Sequence, residues 1–142
     1  MNDIGKVVCA IIEKDGCFLI AQRPAGHPLE RKWEFPGGKV AGGESMHEAI
    51  KREILEELDV IVEVHAALTP NFHAYQHLSL TLIPFRCSIT KGVAQPLEHS
   101  SIAWVNEKTV KEYQFAEADL PVLAEYLAAK VHEWRENGSE VF

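Results

Sequence analysis

The chain has 142 residues, a length that suggests one domain with a substantial core, so residues 1–142 are expected to form a single domain. Apolar residues make up 46% and charged residues 25% of the sequence, as in an ordinary soluble globular protein. The formal net charge is −7 and no Lys/Arg run is present, which argues against a nucleic-acid polymer as the partner. A small anionic substrate could still bind if metal ions bridge it to carboxylates.

Cysteine usage and hydropathy bear on the compartment. Cys9, Cys17 and Cys87 are odd in number and lack metal-ligand spacing, so they are interpreted as reduced residues of a cytoplasmic protein. No signal peptide and no apolar run near about 18 residues is found, so neither export nor a membrane partner is expected. The sequence leaves the oligomeric state open.

The first part of the chain predicts a β-hairpin and a loop. Residues 7–12 are a continuous apolar run, typical of a buried strand, and Asp15-Gly16 marks a turn. Residues 17–21 resume the apolar run and complete the hairpin. The polar residues 22–32 then form a loop that either touches substrate or merely connects two strands.

A glycine-rich segment precedes the longest predicted helix. The sequence WEFPGG at residues 33–38 predicts a short strand that ends in a tight turn, where glycines allow close backbone approach. Glu44 and Ser45 stand where a helix should begin, and Glu48 in the first turns complements its dipole. We expect this helix to end near Leu58.

Three glutamates share one side of this helix. At roughly 100° per residue, Glu53, Glu56 and Glu57 project from the side that also holds apolar residues of the first turns, so they are expected to face inward. Like charges at this spacing cost about 0.2–0.5 kcal/mol per pair, and more where water is excluded. A divalent cation would compensate for the repulsion. The alternative is a solvated glutamate patch.

Residues 38–60 resemble the Nudix box, G-x5-E-x7-R-E-U-x-E-E-x-G-U, in which U is an aliphatic residue. Eight of its nine fixed positions agree, at Gly38, Glu44, Arg52, Glu53, Ile54, Glu56, Glu57 and Val60. The exception is Asp59, where the pattern has Gly. Because Asp tolerates a left-handed backbone better than most residues, we expect a local stability cost and no loss of activity.

The resemblance implies roles for the matching positions. In Nudix hydrolases three acidic positions of the box helix bind Mg²⁺ or Mn²⁺, and here these are Glu53, Glu56 and Glu57. The carbonyl of the residue at Gly37 often joins these metal ligands. The residue at Arg52 orients the one at Glu53, and the residue at Glu44 braces the preceding loop.

The second half of the chain predicts further strands. Residues 60–67 alternate loosely and residues 77–83 alternate more cleanly, and Pro84 suggests a sheet edge or a strand end. Residues 92–98 are a turn-rich loop, followed by a strand over residues 101–105.

Three histidines in this half suggest zinc at first sight. The separations of His73, His77 and His99 do not match a compact ligand set. We therefore interpret them as surface or core residues.

Two acidic residues of this half resemble positions of the MutT-like branch of the family. That branch places a glutamate after a Gln-Pro pair, which implies that Glu98 is a metal ligand or the general base, whereas the alternative is a surface acid. Asp119 precedes Leu120-Pro121 at the start of a helix predicted for residues 120–135. This position explains Asp119 as an N-cap, which contributes about 1 kcal/mol to helix stability. In the MutT-like branch an Asn or Asp at this place hydrogen-bonds the base.

The fold implied by the resemblance is the Nudix α/β/α sandwich, with a mixed sheet between the box helix and a C-terminal helix; pattern alone gives only a mixed α/β domain. The implied activity is Mg²⁺-dependent hydrolysis of a nucleoside triphosphate to a monophosphate and pyrophosphate. Glu53 or Glu98 would accept the proton of the attacking water, Arg23 would steady a phosphate, and Phe35 and Asp119 would hold the base.

Oxidised guanine (8-oxo-dGTP) and cytosine-type nucleotides are the expected substrates. An ionised Asp119 can only accept hydrogen bonds, so guanine, which offers the N1–H and 2-amino donors, is ranked first. Cytosine is ranked second, because its N3 acceptor would repel the carboxylate unless Asp119 were protonated. The alternatives are hydrolysis of dinucleoside polyphosphates or ADP-ribose, and a non-catalytic nucleotide sensor. Tyr75 weakly resembles a tyrosine of the dinucleoside polyphosphate group, and the intact REILEEL segment argues against the sensor.

Overall fold

The computed structural model describes residues 2–27 and 29–137 and places eight strands in one mixed sheet between two helices. The strands are β1 (Asn2–Lys14), β2 (Cys17–Gln22), β3 (Trp33–Glu34), β4 (Gly37–Lys39), β5 (Ile61–Ala67), β6 (Asn71–Ala74), β7 (Leu78–Lys91) and β8 (Ser101–Val105). The helices are α1 (Met46–Leu58) and α2 (Leu120–Asn137), with 3₁₀ turns at Thr109–Glu112 and Glu117–Asp119. The predicted α/β/α sandwich is confirmed. Among these described residues, no helix is long and apolar enough to span a bilayer.

Strand β1 separates two cores. It pairs in parallel with β7, while every other strand pairing is antiparallel. Side chains of a strand alternate between the two faces of the sheet, so Val8 and Ala10 pack in the cluster that contains α1. Cys9 and Ile11 pack in the cluster that contains residues of α2. This double burial explains the continuous apolar run.

Helix α1 has well-defined ends. Ser45 and Glu48 form a capping box, in which the Ser45 hydroxyl accepts from the Glu48 N–H and the Glu48 carboxylate accepts from the Ser45 N–H. The helix ends at Leu58, as predicted, and Asp59 adopts a left-handed conformation with φ 59° and ψ 36°. The expected left-handed backbone at this departure from the box is therefore present.

Pro84 lies neither at a strand end nor in an edge strand, so the prediction of one or the other is wrong. Strand β7 runs through it, with Pro84 opposite Cys9 of β1. The Pro84 carbonyl accepts from the Leu68 N–H, which lies between the segments of β7 that pair with β6 and with β5. The missing N–H therefore faces a gap between two partner strands, and the ladder with β1 remains intact.

The glycines of the WEFPGG segment lie in a strand and not in the predicted turn. Gly37 and Gly38 belong to β4, which pairs with β1. A Cβ atom on Gly37 would lie 1.9 Å from the Val8 carbonyl oxygen, and one on Gly38 would lie 2.4 Å from the carboxyl carbon of Glu53. Both positions therefore require glycine, because β4 lies in close contact with the backbone of β1 at Gly37 and with the Glu53 side chain of α1 at Gly38.

An ion-pair cluster fixes α2 to the sheet. Arg86 of β7 bonds both oxygens of Glu13 in β1, at 3.1 and 2.9 Å, and also pairs with Glu133 of α2. The Tyr126 hydroxyl donates to Glu13 at 2.6 Å. Because α2 directly follows the 3₁₀ turn Glu117–Asp119, this attachment also holds that turn against the sheet.

The left-handed conformation of Asp59 leads to a stability prediction. Asp59→Gly should raise the free energy of unfolding by about 0.3–1 kcal/mol, because a carboxylate faces the negative end of α1 and glycine adopts φ above zero without strain. Urea denaturation measures the change. Asp59→Asn is the control, since it removes the charge and keeps a side chain. A lower midpoint for Asp59→Gly at unchanged slope would show that Asp59 makes a stabilising contact.

Candidate active site

One cavity of about 390 Å³ opens beside β4 and the C-terminal end of α1. Six of the residues predicted from sequence line it: Arg23, Phe35, Gly37, Glu57, Glu98 and Asp119. The remaining predicted residues, Glu44, Arg52, Glu53 and Glu56, lie next to this wall on α1 and on the loop before it. The fold therefore gathers residues that are up to 96 positions apart in the chain, from Arg23 to Asp119.

Arg52 is the cation that organises the acidic wall. Its guanidinium donates to both oxygens of Glu44, at 2.6 and 2.9 Å, to Glu53 at 2.9 Å and to Glu56 at 3.3 Å. Glu44 also accepts from the Ala41 N–H, which ties the loop to the helix. Hydrogen bonds from Arg52, then from Ala41, lower the pKa of Glu44 to about 2. Arg52 thus fixes one oxygen of Glu53.

Glu57 is a buried carboxyl at the cavity wall, only 6% exposed. Burial is the largest cause that raises its pKa far above the usual range, followed by hydrogen bonding and charge repulsion from Glu53. Glu34 and Glu98 raise this pKa further. Each of these neighbours therefore disfavours the charged form of Glu57, and a cation at this point would favour it.

The expectation that all three box glutamates face inward is wrong for Glu56. The Glu56 side chain is 53% exposed and is turned toward Arg52. Ile54 and Leu58 are fully buried, so the core face of α1 stays apolar to its end. The acidic side chains lie along the border of that face, because the helix presents the apolar stripe to the sheet and its neighbouring edge to the cavity.

The donor set at this wall fits Mg²⁺ or Mn²⁺. Glu53, Glu57 and Glu98 supply carboxylate oxygens and Gly37 supplies a carbonyl near the same cavity, which are the hard ligands that such ions prefer. Across residues 2–27 and 29–137, however, no three His, Cys, Asp or Glu side chains stand close enough together to hold an ion. The candidate ligands therefore lie along one wall without forming a closed set.

Asp119 is a second buried acid in the same cavity, 5% exposed. Its Oδ2 accepts from the Phe35 N–H at 2.8 Å. Burial, followed by the charge of Glu34, raises the pKa of Asp119 to about 8. Arg23 and the Phe35 N–H act in the opposite direction.

The predicted N-cap role of Asp119 is wrong. Within the described chain its carboxyl makes no hydrogen bond to α2, because Asp119 already belongs to the 3₁₀ turn Glu117–Asp119 and its side chain points to Phe35. The turn is held from a second side, where the Tyr75 hydroxyl accepts from the Ala118 N–H at 3.0 Å. A structural cap therefore does not account for this acid.

Phe35 and Arg23 are less available than the sequence suggests. The Phe35 ring packs against Phe18 and Phe115, with centroids 6.1 and 5.7 Å away, and the residue is 3% exposed. Arg23 lines the cavity while its Nη2 lies 2.8 Å from Glu34 Oε1. Little of the Phe35 ring is therefore open for stacking, and Arg23 already has a carboxylate partner.

Sequence reasoning assigned no site role to Glu34 and His99, which line the cavity and contact each other. His99 Nε2 lies 2.9 Å from Glu34 Oε2. The available signals were their positions, since Glu34 directly precedes the Phe-Pro-Gly-Gly run and His99 directly follows Glu98.

A family model described as a NUDIX domain matches residues 7–125. The chain belongs to the Nudix family. It is 33% identical to the CTP pyrophosphohydrolase of Escherichia coli, over 88% of this chain and 93% of that protein. It is 32% identical to a putative 8-oxo-dGTP diphosphatase 2 of Mycobacterium tuberculosis, over 80% of this chain and 81% of that protein. The solution structure of the E. coli ORF135 protein superposes with a TM-score of 0.78 at 34% identity, covering 92% of each chain.

This Nudix hydrolase should show a pH-dependent effect of Glu57 on stability. The folded state holds the Glu57 proton to higher pH than the unfolded chain, whose carboxyl titrates near about 4.3, so metal-free stability falls as pH rises above that value. Glu57→Gln removes this loss, so it should stabilise the chelator-treated protein at pH 8 and have little effect at pH 4.

Urea denaturation at the two pH values, with Glu63→Gln on the exposed face of β5 as the control, measures the Glu57 effect. An equal effect of Glu57→Gln at both pH values would show that the ionisation of Glu57 does not limit stability.

Proposed function

We propose that this Nudix hydrolase is a Mg²⁺-dependent nucleoside triphosphate pyrophosphohydrolase, which releases a nucleoside monophosphate and pyrophosphate. The single observation that carries the proposal is one cavity that joins the acidic wall at Glu57 and Glu98 to a buried polar group at Asp119. The first suits a polyphosphate with its counter-ions, and the second suits a nucleobase. Relatives named CTP pyrophosphohydrolase and 8-oxo-dGTP diphosphatase support the same activity.

Carboxylates and a backbone carbonyl would hold the metal. The proposed ligands are Glu53, Glu56, Glu57, Glu98 and the Gly37 carbonyl. A bound Mg²⁺ or Mn²⁺ supplies neutralisation of polyphosphate charge and a lower pKa for a bound water. Glu56 would have to leave Arg52, with which it makes a 3.3 Å contact.

Glu53 is our choice for the general base, with Glu98 as a ligand. Arg52 holds Glu53 Oε1 at 2.9 Å and Gly38 leaves room for its carboxylate, so the orientation of the acid is fixed before substrate arrives. Glu98 is exposed on a loop. Arg52 and Glu44 act by positioning, and Arg23 would contact a phosphate if it exchanged Glu34 for the substrate.

Glu53→Gln should lower kcat by roughly 10²–10⁴-fold with the fold intact, because an amide cannot accept the proton of the attacking water. The assay incubates pure protein with Mg²⁺ and a panel of nucleoside triphosphates, dinucleoside polyphosphates and ADP-ribose, and identifies the products by chromatography. Glu63→Gln is the matched control. Near wild-type turnover by Glu53→Gln would falsify its assignment, and a substrate other than triphosphates would overturn the proposed substrate class.

Asp119 carries the choice of base, and its raised pKa revises the sequence-based ranking. Below about pH 8 the carboxyl is mostly protonated, so it offers one donor and one acceptor. Since Oδ2 accepts from the Phe35 N–H, the proton belongs on the other oxygen. That O–H can donate to N3 of cytosine, whose repulsion by an ionised acid had placed cytosine second. We therefore propose cytosine-type nucleotides first and oxidised guanine second at neutral pH.

The groups around Asp119 influence the pKa of its carboxyl and therefore the pH at which this choice changes. Glu34 raises the Asp119 pKa and Arg23 lowers it. Burial raises the pKa of Cys9 and of Tyr75, and the charge of Asp119 raises both further, so both side chains lie close to it. Deprotonation of Asp119 removes the donor for cytosine and leaves an acceptor for the N1–H and 2-amino donors of guanine.

The ratio of kcat/KM for CTP to kcat/KM for 8-oxo-dGTP should fall about tenfold as pH rises through about 8. Asp119→Asn is the matched control, because its amide keeps a donor NH₂ group and an acceptor oxygen at every pH. Its ratio should therefore stay constant over the same range. A wild-type ratio that does not change with pH, or an Asn variant that changes equally, would contradict base selection by the protonation of Asp119.

A further inference from the structure

The loop that carries Glu98 is docked on the end of the box helix. The Gln95 N–H donates to the Leu58 carbonyl at 2.9 Å, and the Leu97 N–H donates to the Glu57 carbonyl at 3.0 Å. Beyond Glu98 the chain returns to the sheet, where the Ser100 N–H donates to the Gln22 carbonyl at 3.0 Å. Glu98 itself is exposed, so its position depends on how this loop is anchored.

His99 anchors the loop by its side chain. The imidazole is 7% exposed although the neighbouring residues are exposed. Its Nε2 lies 2.9 Å from Glu34 Oε2, which requires the ring N–H to donate because a carboxylate only accepts. Its Nδ1 lies 3.7 Å from Glu57 Oε1 and is a buried polar atom with no hydrogen-bond partner among the described residues.

Glu34 lies on the nucleotide side of the cavity, and Glu57 lies on the acidic wall. The other oxygen of Glu34 pairs with Arg23 at 2.8 Å, and the charge of Glu34 acts on Asp119. Glu57 lies against Glu53 of the box. The imidazole therefore lies between Glu34, whose charge acts on the proposed base-selecting Asp119, and Glu57 of the proposed metal site.

We propose that His99 is a positioning residue that sets Glu98 and Glu57 relative to Glu34, and so couples nucleotide binding to the metal-binding wall. The proposal rests on the proposed function, in which Glu57 and Glu98 are ligands. A residue that only filled space would have no need of a polar ring in a nearly closed site, and no group in residues 2–27 and 29–137 makes a hydrogen bond to one of its ring nitrogens. Partners that orient metal ligands typically affect metal affinity or activity by about 10–100-fold.

Three substitutions separate positioning from packing. His99→Phe keeps a ring and loses the donor to Glu34, so it should lower kcat/KM for the preferred nucleotide by about 10–100-fold. His99→Gln has an amide that can reach the Nε2 position, so it should recover activity to within a few fold of wild type. His99→Asn is polar but one methylene shorter, so it should fold and behave like His99→Phe.

A metal readout that needs no turnover accompanies the activity assay. Titration with Mn²⁺, followed by electron paramagnetic resonance, measures metal affinity for each variant without nucleotide. His99→Phe and His99→Asn should bind Mn²⁺ about tenfold or more weakly, and His99→Gln should bind it nearly as wild type does. His65→Phe is the control, because His65 contacts Ser88 at 2.6 Å on the surface of β5, away from the cavity.

The outcomes distinguish this inference from the proposed function. Wild-type activity and Mn²⁺ affinity in His99→Asn, or equal impairment of His99→Gln and His99→Asn, would overturn the positioning role while the enzyme remained a triphosphate hydrolase. If His99→Phe fails to fold, the Gln and Asn pair decides alone. A wild-type protein that binds Mn²⁺ but hydrolyses no nucleotide overturns the proposed function, and the Mn²⁺ affinities still decide the role of His99. Absence of both properties overturns both proposals.

Discussion

The burial of the Glu57 carboxyl beside Glu53 is the constraint on which the candidate site depends. A buried acid next to other acids is unfavourable in its charged form, and Glu57 gains no compensating ion pair from Arg52, which is engaged by Glu44, Glu53 and Glu56. A helix that served stability alone would place an apolar residue at this position. The chain keeps a local electrostatic cost that a divalent cation would relieve, as expected where stability is exchanged for function.

The scaffold can tolerate this cost because its two apolar clusters are built without the acidic side chains of the site. Strand β1 sends alternate side chains into the cluster under α1 and into the cluster that contains residues of α2. The capping box at Ser45 and the fully buried Ile54 and Leu58 hold α1 in place without help from the acids. The carboxylates lie along the cavity edge of the helix, outside the two apolar clusters.

Two buried acids mark two regions of the cavity, to which we assign different proposed roles. Glu57 belongs to the region suited to metal and polyphosphate, and Asp119 to the region suited to a base. Glu34 acts electrostatically on both acids, since its charge adds to the effect of burial in raising the pKa of each. His99 contacts Glu34 and approaches Glu57, so the proposed coupling runs through one imidazole. Electrostatics of this kind acts over several ångströms and needs no large movement of the backbone.

The sequence by itself determined the box helix, its end at Leu58 and the left-handed Asp59, because these follow from local periodicity, helix-end signals and a motif in register, and the resemblance of that motif to the family implied the sandwich. Only the tertiary structure decided the rest. The passage of β7 through Pro84 depends on a gap between two partner strands, and the exposure of Glu56 depends on where Arg52 lies. The pKa of Asp119 is raised by burial and then by the charge of Glu34, and His99 is buried beside the same Glu34; no spacing along the chain encodes these contacts between distant segments.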